Sequence, residues 1–267
     1  MPADEQTPYD LGKPGPLQEW LDDLRVAGGL LSAVPIPLPP QDRVDIARSA
    51  RLFSLIGLII GLAGAMVLAL TNWIGLPAAV AVPVALGSMV LVTGGLHEDG
   101  LADLCDGFGG GHTKEDILRI MRDSRIGTYG VLGLIFIIGI KWASLAAVAE
   151  ASLSAAVWAV IGAAALSRGL LPPIMHHVPH AREDGLSVAA GQPGFAHAMT
   201  ALGVGVLAAL VAFGFWFGLL FTVISLAVVI GLIAWTSRWL GGQTGDVLGA
   251  SQQAVETVIF VLAAAAL

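Results

Sequence analysis

The sequence FSLIGLIIGLAGAMVLAL, at residues 53–70, contains 18 residues and no charged side chain. About 20 apolar residues in a helix cross the hydrocarbon core of a bilayer, so this stretch is long enough to span a membrane. Its apolar residues do not alternate with polar ones, as they would in a strand of a membrane β-barrel. A helix also satisfies its backbone hydrogen bonds internally, which the bilayer requires. The stretch therefore predicts a transmembrane α-helix.

The composition extends this prediction to most of the chain. Of the 267 residues, 56% are hydrophobic and 12% are charged, whereas soluble domains carry about 25% charged residues. The formal net charge of −7 argues against a nucleic-acid-binding protein. The single cysteine, Cys105, excludes an intramolecular disulfide. The first 30 residues lack a basic start followed by an apolar core, so we expect no cleavable signal peptide.

Further apolar stretches predict five more spans and a seventh whose length is marginal. They cover about 78–96, 131–149, 155–171, 198–217 and 219–239, and a last stretch that contains Glu256 and ends at Leu267. The predicted fold is an all-α, polytopic integral membrane helix bundle of about six to seven transmembrane helices. We expect residues 1–52 to form an N-terminal cytoplasmic region and residues 53–267 to form a single transmembrane domain.

The N-terminal region contains a candidate interfacial helix. Leu17, Trp20, Leu21 and Leu24 recur at helical spacing beside charged residues. This pattern is typical of a helix that lies on the membrane surface. A helix that packs on its own protein remains an equal alternative.

The positive charges predict the orientation of the bundle. If the spans alternate, the arginines and lysines outside them fall on one side of the membrane: Lys13, Arg25, Arg43, Arg48, Arg51, Lys114, Arg119, Arg122, Arg125, Arg182 and Arg238. Arg168 lies just inside the fourth span on that side, and Lys141 lies within the third span. By the positive-inside rule, the N-terminus and all the long loops are cytoplasmic.

The segment TGGLHEDGLADLCDG, at residues 93–107, is rich in acids. On a helix Asp99, Asp103 and Asp106 would fall within roughly 60° of arc. No lysine or arginine lies within a turn of them, so a hard divalent cation bound by oxygen is the candidate that offsets their charge. Glu98 lies about 100° from that face, and its longer side chain could reach the cation. A solvated acidic cap is the alternative; interleaved leucines favour a functional site, because they hold the segment against the bilayer.

Two motifs after the acids are candidates for binding an anion. Gly107 and Gly109 belong to the run GFGGG, which would let backbone N–H groups approach a phosphate closely; such a run also serves as a hinge. The sequence RDSR follows, with Arg122, Asp123, Ser124 and Arg125 as predicted substrate-binding residues. Arginine can bind phosphate through two parallel hydrogen bonds. Charges that only set the membrane orientation are the alternative.

Three later polar residues fall in the same predicted compartment. They are Arg168 at the end of the fourth span, Asp184 in the loop at 181–187, and Asp246 in the glycine-rich loop GGQTGD at 241–246. The predicted topology would let several loops build one site from them.

Three motifs resemble those of the adenosylcobinamide-GDP ribazoletransferases, also called cobalamin synthases. Residues 93–103, together with Asp106 and Gly107, are similar to the signature of that family. The sequences MRDSRIGTYG at 121–130 and GGQTGD at 241–246 resemble two further family stretches. The similarity covers nearly the whole chain. The tail up to about Gln18 is longer than the family needs, and glutamines at 243, 252 and 253 depart from its pattern near the third motif.

The resemblance implies an activity in the last assembly steps of vitamin B12. Such an enzyme joins adenosylcobinamide-GDP to α-ribazole or its 5′-phosphate and releases GMP, using Mg²⁺. A ribazole hydroxyl would attack the phosphorus attached to cobinamide. Asp99, Asp103 and Asp106 would be catalytic and would hold the metal, with Glu98 as a further ligand. One carboxylate would also accept the hydroxyl proton, and spacing does not say which.

The resemblance also implies where the protein works and what it contacts. We expect a multi-pass protein of the bacterial or archaeal cytoplasmic (inner) membrane, with its active site facing the cytoplasm. The expected partners are the two substrates and the lipid bilayer, and no nucleic acid. A homo-oligomer or an association with other cobalamin-assembly enzymes would be compatible with this function.

Two other functional classes fit parts of the sequence. A CDP-alcohol phosphotransferase also has an aspartate-rich membrane helix, but its pattern places Ala-Arg after Asp-Gly and two more aspartates much further on. Here Asp99-Gly100 is followed by Ala102-Asp103, and no matching arginine or distant aspartate pair follows. A cation transporter tends to place its charges at mid-membrane in broken helices, whereas these carboxylates lie at the end of a predicted span. Release of GMP from labelled adenosylcobinamide-GDP would distinguish the three classes.

Overall fold

The computed structural model describes residues 15–267, a region that is helical and contains no β-strand. Lys13 lies outside the described residues. Twelve α-helices follow in chain order: α1 Pro16–Leu31, α2 Ile46–Ser49, α3 Phe53–Trp73, α4 Ala78–Thr93, α5 Leu96–Gly110, α6 Lys114–Ile120, α7 Thr128–Ala151, α8 Leu153–Gly169, α9 Leu171–His177, α10 Leu186–Ala190, α11 Phe195–Leu240 and α12 Gly245–Ala265. The predicted all-α fold is confirmed.

Five helical segments of the described chain are long and apolar enough to cross a membrane: Ile46–Trp73, Thr128–Ala151, Leu153–His177, Phe195–Leu240 and Gly245–Ala265. Helices α4 and α5 together would make a sixth, but they meet at an angle of 91°. The prediction of a polytopic membrane bundle is therefore confirmed. The last apolar stretch, which was marginal in the sequence, forms the 21-residue helix α12.

Helix α11 reverses direction within its length. Gly214 has φ 75° and ψ 166°, which breaks the helix. A Cβ added at Gly218 would lie 2.7 Å from the backbone oxygen of Ala209, so the two arms of α11, before and after Gly214, run side by side. These arms correspond to the predicted fifth and sixth spans. The sequence placed the turn at Gly218; the structure places it at Gly214, because the reversal needs the positive φ that glycine adopts without strain.

Helix α8 lies at the centre of the bundle, between α3 and α11. Residues Ala163, Ala164 and Ala165 are fully buried. A Cβ added at Gly57 of α3 would lie 2.3 Å from the backbone oxygen of Ala164, and one at Gly61 would also meet the backbone of α8. Small residues let membrane helices approach closely. In a bilayer such close packing stabilises helix contacts, because the hydrophobic effect does not drive helices together there.

The long connections gather at one end of the bundle. The backbone N–H of Ala33, after α1, donates to Val92 at the end of α4 across 2.8 Å. The hydroxyl of Ser54, at the start of α3, donates to the backbone oxygen of Ala201 near the start of α11. The loop before α12 meets the segment after α9, where the N–H of Gln243 donates to Pro179. The loops that contain most of the chain's arginines therefore share one end.

Helix α1 packs on this end through its acidic side. Asp22 and Asp23 are buried and form ion pairs with arginines of α1 and of the following segment: Arg25, Arg43, Arg48 and Arg51. Three apolar side chains remain outward: Leu17, Trp20 and Leu21. One face of α1 therefore packs on its own protein, as the second alternative predicts. The contact of its apolar face with a membrane surface stays a prediction.

Candidate active site

Two glycines set the direction of the acid-rich helix α5. Gly94 and Gly95 have φ values of 65° and 71°, a conformation that glycine adopts readily. They turn the chain so that α5 does not continue the span of α4. Helix α5 then packs on α7 and α12. A Cβ added at Gly100 would lie 3.0 Å from the Cα of Asp246, so this glycine lets the start of α12 lie directly against α5.

A cavity of about 250 Å³ lies where α5 and α12 meet, and Asp99 and Asp246 line it. Two of the predicted site residues, 147 positions apart in the chain, are therefore brought together. Helices α1, α9 and α10 contribute apolar residues to the same cavity. This arrangement agrees with the expectation that separate polar segments build one site.

Asp103 lies one turn beyond Asp99 on α5. Partial burial, followed by repulsion from Asp99, Asp246 and Asp106, raises the pKa of Asp103 to about 7. A carboxyl group in such surroundings is stabilised by a proton or by a cation. At neutral pH this aspartate can therefore either accept a proton or help to bind a metal ion.

Arg182 is a further residue of the cavity that the sequence did not single out as a binding residue. A short backbone pairing, in which Ala181 donates to the oxygen of Gln243 across 2.9 Å, places it beside α12. Its side chain is 12% exposed, and Nη2 lies 3.6 Å from a carboxylate oxygen of Asp246. Among the described residues, Nε and Nη1 have no hydrogen-bond partner. The sequence contains one indication of Arg182, since this residue lies in the same charged loop as the predicted site residue Asp184.

Asp106 contacts the start of α7. Its two carboxylate oxygens accept hydrogen bonds from the backbone N–H groups of Gly127 and Gly130, at 2.7 and 2.8 Å. These N–H groups lie at the N-terminus of a helix, where an acceptor and a negative charge are stabilising. The structure thus gives Asp106 a helix-capping contact. Helical spacing in the sequence placed Asp106 on the acidic face of α5, but it did not show that α7 begins beside this residue.

Glu98 and Arg168 lie away from the Asp99 cavity, among buried polar residues of α12. Glu98 accepts a hydrogen bond from the Gln253 side chain across 2.8 Å. Arg168 is 2% exposed and lies 3.4 Å from a carboxylate oxygen of Glu256. The structure does not bring these two predicted site residues to Asp99, because the rotation of Glu98 on α5 and the position of Arg168 on α8 both direct them to α12.

The glycine run is part of helix α5 rather than a loop around an anion. A Cβ added at Gly107 would lie 2.6 Å from the Met121 side chain, and one at Gly109 would lie 2.3 Å from the ring of Tyr129. The helix continues to Gly110, so the backbone N–H groups of both glycines lie within the helix. Close packing of side chains on α5 explains both residues. The predicted approach of a phosphate to this run does not match its helical conformation.

The predicted arginines of the RDSR motif lie on the surface and are paired with carboxylates. Arg122 forms an ion pair with Asp184, another predicted site residue. Arg125 contacts Asp123 at 2.7 Å, and its hydrogen bonds lower the pKa of Asp123 to about 2. Ser124 is exposed between them. None of these four motif residues lines the Asp99 cavity.

Comparison with known proteins identifies the family. The model of a family described as cobalamin-5-phosphate synthase matches residues 23–264. The chain belongs to the cobalamin-5-phosphate synthase family. The resemblance seen in the three sequence motifs is thereby confirmed.

Curated relatives of this cobalamin-5-phosphate synthase family member match over nearly their full length. An adenosylcobinamide-GDP ribazoletransferase from Bradyrhizobium diazoefficiens is 44% identical over 251 residues, which are 93% of this chain and 95% of the relative. The protein of the same name from Azorhizobium caulinodans is 42% identical, over 88% of this chain and 92% of its own. One from Rhizobium etli is 40% identical, over 94% and 99%. No solved structure matches the chain.

The cavity of this family member can offer a cation two carboxylates, those of Asp99 and Asp246. Within residues 15–267, no group of three His, Cys, Asp or Glu side chains is close enough to hold a metal ion by itself. Mg²⁺ in enzymes usually takes one or two carboxylates, keeps water ligands and completes its shell with substrate phosphates. The hard oxygen donors of Asp99 and Asp246 fit that pattern.

Proposed function

We propose that this chain is an adenosylcobinamide-GDP ribazoletransferase of the last steps of cobalamin biosynthesis. It joins adenosylcobinamide-GDP to α-ribazole, or to α-ribazole 5′-phosphate, and releases GMP. The curated relatives that have this name match the chain over nearly their whole length. The observation that supports the site is the cavity in which Asp99 and Asp246 meet the buried guanidinium of Arg182. The CDP-alcohol phosphotransferase and cation transporter alternatives are not favoured.

The cavity suits a diphosphate in the presence of a cation. The two nitrogens of Arg182 that lack partners can donate hydrogen bonds to phosphate oxygens. Asp99 and Asp246 alone would repel phosphate, so they require a positive ion between them and the substrate. We assign them to Mg²⁺. The metal would offset the charge of the diphosphate and of the leaving GMP oxygen.

The transfer needs one proton acceptor. The attacking ribazole hydroxyl forms a new bond to the phosphorus attached to cobinamide, and the bond from that phosphorus to the GMP oxygen breaks. The hydroxyl proton passes to a carboxylate. Asp103 suits this role, because it lies one turn beyond Asp99 and its partial burial raises the pKa of its carboxyl group. Arg182 holds the diphosphate while the hydroxyl approaches.

The test is product formation by protein purified in detergent. With labelled adenosylcobinamide-GDP, α-ribazole and Mg²⁺, we expect cobalamin and GMP in equal amounts. Omission of α-ribazole or addition of a chelator should stop both. Release of GMP without α-ribazole would indicate a hydrolase, and the absence of both products would contradict the proposed function.

We also assign the reaction to the cytoplasmic face of the cytoplasmic membrane. The candidate site lies at the end of the bundle that collects the arginine-rich connections. Under the positive-inside rule that end faces the cytoplasm.

A further inference from the structure

A second cavity, of about 590 Å³, lies between α4 and α7. Its walls on these helices are mostly apolar, and Glu98, Lys141, Arg168, Gln253 and Glu256 line its polar side. The volume falls in the range of about 300–1,000 Å³ that is usual for small-molecule sites. The proposed reaction has two substrates, and the Asp99 cavity accounts for the phosphate groups of one.

The polar side of this cavity is a connected network. Lys141 donates to Gln253 across 2.7 Å and to Glu256 across 2.6 Å. Arg168 approaches Glu256 from α8, and Gln253 donates to Glu98. Ionisable groups inside a membrane bundle are costly and usually have a functional role. Moreover, Nε of Arg168 and Oε2 of Glu98 are buried without a hydrogen-bond partner among the described residues.

The charges of the network favour a neutral ligand. Lys141 and Arg168 supply two positive charges, and Glu98 and Glu256 supply two negative charges. A phosphate or a metal ion would upset this balance, whereas hydroxyl groups could hydrogen-bond to the atoms that lack partners. The indole of Trp142 also lines the cavity and offers an aromatic surface to a flat ring. The chemistry therefore fits an apolar ring system that carries several hydroxyl groups.

The second cavity and the candidate active site each share a lining residue with a third cleft. Thr93 lines it and also lines a cleft on the other side of the α4–α5 bend. Asp99 lines both that cleft and the phosphate cavity. A ligand in the second cavity that reacts beside Asp99 would therefore have to reach past Thr93.

We infer that the second cavity binds the benzimidazole ring and ribose of α-ribazole, the acceptor. The inference rests on the proposed function and names where its second substrate binds. The aromatic ring lies on the apolar walls beside Trp142, the ribose hydroxyls meet the network, and the reacting hydroxyl extends past Thr93. A lipid acyl chain would leave the network without hydrogen-bonding groups.

Gly87 allows the cavity to be filled selectively. This residue lines the cavity, and a Cβ added there has no atom of another described segment within 4 Å. We expect Gly87→Phe to raise the KM for α-ribazole at least about tenfold while leaving the KM for adenosylcobinamide-GDP within about twofold. Gly87→Ala should resemble the wild type. Gly231→Phe, at an equally open glycine on α11 outside the cavity, is the matched control.

A protection experiment does not depend on the bulky variant being folded. In a Cys105→Ser background, α-ribazole alone should slow the alkylation of Gly87→Cys by N-ethylmaleimide and should not affect Gly231→Cys. An unchanged KM for α-ribazole in Gly87→Phe, an equal rise for both substrates, or the absence of protection would overturn the inference. Wild-type turnover tests the proposed function separately, because it does not depend on where the acceptor binds.

Discussion

Arg182 is the arginine whose guanidinium the fold buries beside Asp246. Arg122 forms its ion pair on the surface, where its side chain is 51% exposed. An exposed pair contributes little to stability, and phosphate would have to displace a carboxylate from it. The buried guanidinium of Arg182 has N–H groups without a hydrogen-bond acceptor among the described residues, and these gain hydrogen bonds when an anion enters the cavity.

Arg182→Lys should therefore impair the enzyme more than Arg122→Lys. Lysine keeps the charge but loses the planar fork that binds phosphate in a bidentate way. We expect kcat/KM for adenosylcobinamide-GDP to fall at least about tenfold in Arg182→Lys, or about 1.4 kcal/mol, and less than about threefold in Arg122→Lys. Steady-state kinetics decide this. A larger loss of kcat/KM in Arg122→Lys than in Arg182→Lys would indicate that the RDSR motif binds the phosphate.

Substitution by asparagine should have different effects at Asp103 and at Asp106. Asp103→Asn should abolish transfer without lowering the melting temperature in detergent, because this side chain is assigned to the proton transfer and neighbouring carboxylates repel its charge. Asp106→Asn should lower the melting temperature, since an amide N–H would face a backbone N–H of α7; an unsatisfied group of this kind costs about 1–3 kcal/mol. Near-normal turnover of Asp103→Asn, or an unchanged melting temperature of Asp106→Asn, would contradict these roles.

At the scale of elements, the sequence predicted the spans better than their contacts. Length and apolarity alone define a span, so α3, α7 and α8 were located by composition. The partners of Glu98 depend on how α5 packs on α12, and no local pattern records that packing. The glycine run shows the same limit: its sequence suits a loop, but the side chain of Tyr129 makes it a packing surface of a helix.

The contact of α3 with α8 gives a test at this scale. Gly57→Val should destabilise the bundle strongly, because even a Cβ there would lie 2.3 Å from the backbone of Ala164. Gly139→Val on α7 is the control, since a Cβ at Gly139 meets no other described segment within 4 Å. We expect a clear drop in melting temperature for the first variant alone. Equal melting temperatures would contradict the close packing of α3 on α8.

At the scale of the whole molecule, the connections that contain most of the arginines meet at one end with the candidate site. The sequence predicted this grouping from alternating spans, and the fold agrees with it. The site itself was predicted in part: Asp99 and Asp246 meet, while Arg168 and Glu98 belong to the second cavity. Spacing along one helix gives a direction for each side chain but not the helix that it faces.

Cysteine labelling tests which way this end faces. In a Cys105→Ser background, cysteines at the exposed positions Asn72 and Glu150 should react with an impermeant thiol reagent added to intact cells. Cysteines at His112 and Glu183, also exposed, should react only after the membrane is opened. The reverse pattern would contradict the cytoplasmic assignment.

The most direct test of the candidate site is a structure determined with adenosylcobinamide-GDP and Mg²⁺ bound. The two phosphorus atoms should lie in the cavity formed by α5 and α12, with phosphate oxygens within hydrogen-bond distance of Arg182. Density for the metal should lie between the diphosphate and the carboxylates of Asp99 and Asp246. A diphosphate bound at Arg122 and Arg125 on the surface, or in the cavity beside Lys141, would contradict the assignment.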